Sequence, residues 1–273
     1  MADKLAYHYT TVEALHEIVR SKRFRLSNVF FMNDYMEVEW CFNLAREMME
    51  KSPKQFAPLL DQVRERRFKH IFCGCFSAAK DDLSQWRGYA DDGRGVAIEV
   101  DLTEVAKRSN DHIETFEVIY GVERQNSHLD ELLRGFLEPI KKGRLAERLG
   151  ERGKTAHAYF QLSDFAVQCK NPAFSGEKEI RLVRRAVESK EIWRYDEELA
   201  HEFRYGVDFR VRRGTLVPFV EIDLPLDTIR SIWFGPRFGN DMAMVAIQLL
   251  LSKEGVSERV VKNIQRSKAS YGW

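Results

Sequence analysis

The sequence predicts an α+β fold built on a mixed sheet, rather than a doubly wound parallel one, on three observations. Strand-like and helix-like patterns follow each other without regular alternation. A helix-rich stretch, Ser127 to Gln168, separates the earlier strand patterns from those of the last third. The 273 residues are 44% hydrophobic and 12% aromatic with only 7 Pro and 16 Gly, so the chain can bury a core and shows no compositional sign of disorder. No repeat, low-complexity segment or Gly/Ser linker marks a boundary, so a single domain over 1–273 is expected, with a helical insertion at about 124–170.

A strand at Leu5–Tyr9 precedes a helix whose start is signalled by Thr10 with Glu13 three residues on, a capping-box pattern, and whose buried face carries Leu15, Ile18 and Val19. Arg25 to Phe31 crosses to a second helix from about Tyr35 to Lys51, and a very basic third helix follows Pro53 to Pro58. Ile71 to Ser77 is short and apolar, a buried strand. Leu83 to Tyr89 is helical. Asp91-Asp92-Gly93 with Gly95 then turns the chain into a period-two strand carrying Val96, Ile98 and Val100. A strand over Ile113–Tyr120 follows. Ser127 to Gln168 reads as two helices broken near Gly150 and Gly153, with Leu129, Leu132, Leu133, Phe136 and Leu137 at helical spacing. Strands return at Glu177–Val183, Val207–Arg213, Thr215–Ile222 and Thr228–Phe234, before a helix at Asp241–Ser252 and a last strand near Glu258–Gln265.

Lys and Arg number 43 against 42 Asp and Glu, a balance that excludes a globally basic nucleic-acid wrapper and an acidic disordered tail. The first residues lack an apolar run behind a basic start, and the longest apolar segment, Met242 to Leu251, is about half the roughly 20 residues a membrane span needs. Four scattered cysteines, Cys41, Cys73, Cys75 and Cys169, suit a reducing cytoplasm. Cys73 and Cys75 share a strand face, but no second Cys or His pair with zinc spacing accompanies them, so they are expected to be structural thiols.

The most informative run is Glu177-Lys178-Glu179-Ile180-Arg181-Leu182-Val183, preceded by Asn171-Pro172-Ala173-Phe174. On a strand, Glu177, Glu179 and Arg181 share one face while Ile180 and Leu182 enter the core. Such a face is either a site or a solvated edge strand with a charge ladder. His8 lies at the carboxyl end of a strand before a helix, where ligands bind in many sheet proteins. Beside it, Thr10 is a helix cap or a ligand contact. Ser77 at a strand end could hold a ribose or phosphate, and Trp86 and Tyr89 offer aromatic faces, although core packing accounts for Trp86 equally well. Asn33, Asp34 and Glu37 read as a helix cap and first turn; a divalent metal would need further carboxylates. Basic runs at 64–69, at 141–144 and from Arg210 to Arg213 are solvated faces or phosphate contacts.

Tyr7-His8-Tyr9-Thr10, Leu26-Ser27-Asn28 with Asn33-Asp34 and Glu37, Cys75-Phe76-Ser77, Trp86 with Tyr89 and the Gly93/Gly95 turn, Asn171 to Val183, and Phe234-Gly235-Pro236 together resemble a bacterial family, domain-of-unknown-function family 2971. The arrangement is also distantly similar to the ADP-ribosyltransferase superfamily. That resemblance implies a split, mostly antiparallel sheet with flanking helices, which binds NAD as substrate. It assigns catalytic roles to Glu179, Glu177 and His8, and NAD contacts to His8, Tyr9, Thr10, Ser77, Trp86, Tyr89 and Arg181, with no metal. The departure is at Ser77, where no full Ser-Thr-Ser triplet stands. The implied activity is ADP-ribosyl transfer to a nucleic-acid or protein acceptor, or NAD hydrolysis, in a toxin or anti-phage effector. The alternative is a non-catalytic nucleic-acid- or protein-binding module on the same fold.

Overall fold

The structure, a computed structural model, describes residues 4–32, 40–41, 43–47, 71–109, 113–141, 162, 164–185, 206–212, 214–239 and 241–271. In chain order the elements are β1 (Leu5–Thr10), α1 (Val12–Ser21), β2 (Arg23–Asn28), β3 (Ile71–Ser77), α2 (Leu83–Tyr89), β4 (Val96–Asp101), α3 (Leu102–Arg108), β5 (Ile113–Glu117), α4 (Val122–Lys141), β6 (Glu179–Arg185), β7 (Asp208–Arg212), β8 (Thr215–Asp223), β9 (Ile229–Phe234), α5 (Asp241–Glu254), α6 (Glu258–Lys262) and β10 (Gln265–Arg266). The strands join in one open sheet in the order β10-β9-β4-β1-β3-β2-β8-β7, with β6 and then β5 added on β3. Every named pair is antiparallel except β9 with β10. This is the expected mixed α+β architecture.

Period-two alternation decides which face each strand buries. Ala6, Phe24, Leu26, Phe72, Phe76, Ile98, Ile180 and Leu182 turn to one face, where Leu15, Ile18 and Val19 of α1, Ile247 and Leu251 of α5, and Val260 and Val261 of α6 cover them. On the other face, Leu129 of α4 with Cys41, Leu44, Ala45 and Phe165 covers Ile71, Cys73 and Val183. A third cluster, Tyr7, Tyr9, Trp86, Ala90, Ala97 and Trp233, closes the β1/β4 side of that face. A polar strip remains between the second and third clusters.

The strip opens because β3 is a fork. Along one edge β3 pairs with β6 over its full length, from Ile71↔Arg185 to Ser77↔Glu179. Along the other it pairs with β2 only at Ser27↔Cys73 and Asn28↔Phe72, and with β1 only at Tyr7↔Ser77. β1 and β2 therefore diverge from the same edge, and α1 bridges them. Gly74 stands at the divergence; a Cβ there would lie 2.6 Å from Leu26 Cδ2, so any other residue would make the Leu26 side chain shift.

Three local expectations are corrected. Thr10 does not cap α1: its backbone extends the β1/β4 ladder opposite Val96, which delays the helix by one residue, and the Thr11 hydroxyl accepts from the Ala14 N–H at 3.2 Å. The capping box is thereby lost, since the residue three beyond Thr11 is alanine. The segment 258–265 is not a strand. Ser257 and Glu258 start α6, Val260 and Val261 share its buried side, and only Gln265–Arg266 pair with β9. The third correction concerns Glu177. Asn171 accepts from the Ala173 N–H and Pro172 opens a 3-10 helix that runs through Glu177, and Lys178 at φ 45° reverses the chain before β6 begins. The expected helices at 35–51 and beyond Pro58 lie largely outside the described residues, as do Asn33, Asp34 and Glu37.

Candidate functional site

A cavity of about 570 Å³, within the range of small-molecule sites, lies along the fork. His8, Tyr9, Thr10, Ser77, Tyr89, Glu177 and Glu179 line it, together with Lys170 and, towards β2 and β7, Arg25 and Arg210. His8, Ser77 and Glu179 thus meet in one cavity although they are far apart in sequence. Two expected contacts stand outside its wall. Trp86 is wholly buried, its ring edge-on to Tyr9 at 4.8 Å between centroids and its Nε1–H donating to Asp81, so it packs the core beneath the wall. Arg181, 2% exposed, sits behind Glu179.

The carboxylates are held from behind. Arg181 Nε donates to Glu179 Oε1 at 2.8 Å and Arg181 Nη2 to Oε2 at 3.1 Å, the bidentate geometry that guanidinium favours. Lys170 Nζ donates to Glu179 Oε2 at 3.1 Å and to Glu177 Oε2 at 2.5 Å, with the Phe174 ring over it. The Tyr89 hydroxyl completes Glu177 by donating to Oε1 at 2.9 Å. Two carboxylates and two cations thus balance in a buried cluster, so the solvated-edge reading of this strand is excluded: β6 lies between β3 and β5 with Glu179 and Arg181 buried. Burial pushes the Glu179 carboxyl up, but the Arg181 charge and hydrogen bonds, then Lys170 and Cys75, outweigh it and hold it at about 2. It is an anion throughout the physiological range and cannot serve as a proton carrier there.

Glu177 reaches the cluster from the 3-10 helix rather than from the strand. The Ser77 hydroxyl donates to the Glu177 carbonyl at 2.6 Å and accepts from the Ala79 N–H, and the Ala78 N–H donates to the Lys178 carbonyl. Ser77 therefore fastens the turn that presents Glu177. Burial, then the Glu177 charge, pushes the Tyr89 phenol up, so it stays a neutral donor. Tyr89 is 38% exposed, whereas the Tyr9 ring is buried with its hydroxyl donating to the Ala79 carbonyl. Tyr89 is accordingly the aromatic with surface to offer a ligand.

His8 spans the fork. Its ring lies edge-on to Phe24 at 4.6 Å and near Phe76, and Nδ1 is 3.1 Å from the Cys75 carbonyl, between the β2 and β1 rungs of β3. A carbonyl only accepts, so Nδ1 carries the proton and Nε2 of the neutral ring is an acceptor. Burial holds His8 down at about 4 despite that hydrogen bond. Because the folded value lies below the ordinary 6.5, the unfolded chain takes up the proton first as pH falls. The His8 contribution is full above about pH 6.5 and is lost by about pH 4, on the order of 3 kcal/mol. Thermal melts across that window should show His8→Phe losing less stability than the parent; equal slopes would remove His8 as the titrating group.

Lys170 escaped the sequence reading. It sits between Cys169, which bridges Ile119, and the Asn171-Pro172 turn, and its carbonyl accepts from Gln125 Nε2 at 2.6 Å. The one hint was its position next to the apolar run Phe165-Ala166-Val167, which carries the chain inward. Among the described residues no group of three His, Cys, Asp or Glu could hold a metal, and no helix is long and apolar enough to cross a membrane. All four cysteines are free.

The sheet, its fork and the buried carboxylate cluster define a mixed α+β protein with a cavity along the fork. The sequence model of DUF2971, described as a protein of unknown function, matches residues 85–182. The match runs from within α2 through the glycine turn, β4, α3, β5 and α4 into β6, and includes Tyr89, Lys170, Glu177, Glu179 and Arg181; His8 and Ser77 precede it. No curated protein and no solved structure matches the chain.

Proposed function

We propose that the protein is an NAD-consuming enzyme, cleaving the bond between nicotinamide and ribose and passing ADP-ribose to a macromolecular acceptor or to water. The observation that carries this reading is the shared cavity at the fork, lined by His8, by the Tyr89 ring and by the Glu177/Glu179 pair. Cleavage of that bond passes through an oxocarbenium-like state, which a carboxylate near the ribose stabilises. Glu179, fixed as an anion, supplies charge; His8 Nε2 accepts from a ribose hydroxyl; the Tyr89 ring stacks on nicotinamide. Glu177, outside the bidentate grip of Arg181, is the group to take the proton of the acceptor or of water. Arg181 and Lys170 are positioning residues, and Arg181 orients Glu179 rather than touching diphosphate.

One observation favours a second reading, a binding module that holds its ligand uncleaved. Both Glu179 oxygens already accept from cations, which damps the charge available to a transition state. Incubating the full chain with NAD labelled in the adenylate portion, with lysate protein and then RNA or DNA, separates the two. Label on a macromolecule or as free ADP-ribose supports the enzyme; intact NAD in every arm supports the module.

A further inference from the structure

We propose that Arg210 of β7, with Ser27 and Arg25 of β2 on the far side of β8, forms a subsite for the diphosphate of a small nucleotide ligand at the end of the cavity remote from the carboxylates. This deepens the NAD reading by giving the second end of the cavity a chemical partner. Arg210 Nη2 donates to Ser27 Oγ at 2.9 Å, while its Nε is buried without a hydrogen-bond partner. A buried guanidinium N–H left unpaired costs free energy unless a ligand satisfies it. Since Ser27 Oγ accepts from Arg210, the Ser27 hydrogen is left to donate to the same ligand.

The charges that act on Arg210 itself are those of Arg212 and Arg25. Burial, then the charges of Arg212 and Arg25, lower its pKa. Arg25 is partly answered by Glu221, to which its Nε donates at 3.1 Å, and it lies over the Phe219 ring at 5.0 Å. Two neighbouring guanidiniums and a hydroxyl donor fit a group with two negative charges and many acceptor oxygens better than a single carboxylate, which is the chemistry of a diphosphate.

Register fixes the distance to the rest of the site. Ser27 stands opposite Cys73 and Glu179 opposite Ser77, four residues apart on β3, or about 13 Å at the usual rise per residue. A ligand gripped at Arg210 thus carries its ribose towards Glu179 when the two are joined by a nucleotide-length linker.

The test is calorimetric titration of the full chain at low salt with inorganic pyrophosphate and with ADP-ribose, which lacks nicotinamide and cannot be cleaved at that bond. The parent should bind both. Arg210→Gln should weaken ADP-ribose about tenfold to a hundredfold, the worth of a hydrogen bond to a charged group. Ser27→Ala should weaken it less, and Arg210→Lys should keep part of the affinity. Circular dichroism of each variant verifies its fold, and the Ser27 variant keeps the test decisive where the Arg210 variant is unstable. Unchanged ADP-ribose affinity in folded Arg210→Gln, or no pyrophosphate binding by the parent, overturns the subsite. So does Arg210-dependent binding of an oligonucleotide without pyrophosphate binding. The two proposals fail separately. Pyrophosphate and ADP-ribose binding without nicotinamide release retains the subsite and rejects NAD cleavage; nicotinamide release with an unchanged KM in Arg210→Gln does the reverse.

Discussion

Glu179→Gln should destabilise the protein by about 3–5 kcal/mol, the cost of removing one partner from a buried ion cluster. Arg181 and Lys170 would keep their charges at positions only 2% and 4% exposed. The amide makes matters worse, because its NH2 would face Lys170 Nζ and Arg181 Nη2 in one orientation and Arg181 Nε in the other, donors all. For a chain of this size the melting temperature should fall by roughly 10 °C. Adding Arg181→Met should recover part of the loss by removing the stranded cation. The pH dependence carries an independent signature. Glu179 is held below its ordinary 4.5, so its contribution is full above about pH 4.5 and disappears as pH falls towards about 2. The single variant should lack that acid-sensitive contribution, on the order of 3 kcal/mol. A melting temperature within 2 °C of the parent, with unchanged acid sensitivity, would sink this account of the cluster, whatever the chemistry of the cavity.

Gly95→Ala and Gly235→Ala should each cost roughly 3 kcal/mol or more, because the new methyl meets backbone that cannot step aside. A Cβ at Gly95 would lie 2.2 Å from the Thr10 carbonyl oxygen, and one at Gly235 2.2 Å from the Gly93 carbonyl oxygen. These close approaches are ladder and turn contacts: the Gly95 N–H donates to the Ala90 carbonyl, the Gly235 N–H to Gly95, and the Arg237 N–H to Gly93. The junction sets the entry of β4 beside the end of β1, so it governs where Tyr9 and Thr10 stand in the cavity wall. Gly88→Ala is the control. It sits in α2 with nothing within 4 Å of its would-be Cβ, and should be neutral or stabilising by about 0.5–1 kcal/mol. Urea denaturation of the three variants reads the contrast; comparable losses at Gly88 and Gly95 would contradict it.

What could be read ahead of the structure was whatever depended on neighbouring residues. Ile71–Ser77, Leu83–Tyr89 and Val96–Asp101 follow from apolar runs, helical spacing and a glycine turn, all local. Glu177 and Glu179 were legible as a pair, but not the route by which they meet. A strand would have aligned them directly; instead the Asn171-Pro172 turn starts a 3-10 helix and Ser77 pins its far end. The turn signal was present and the alternation of Glu177, Glu179 and Arg181 competed with it. At 258–265 two adjacent valines suited strand and helix alike, and Ser257-Glu258 decided for the helix. The fork could not be read at all. It depends on which remote rungs of β3 are taken by β1 and β2, and its local trace is Gly74, a residue whose need appears only when Leu26 is seen against it. Lys170 was invisible as a site residue, and Arg210 stood only within a basic run that read as a solvated face or a phosphate contact, since their partners are distant in sequence or belong to another element.

The central claim, that the carboxylate-lined cavity cleaves NAD, is tested most directly by the rate of nicotinamide release from NAD by the purified full chain and by its Glu177→Gln variant. Glu177 is less buried than Glu179 and bonded to Lys170 and Tyr89, so the variant should stay folded. The account predicts release by the parent and a drop of about 100-fold or more in the folded variant, the scale of a lost general base. No release by the parent, or equal release by both proteins, would contradict it.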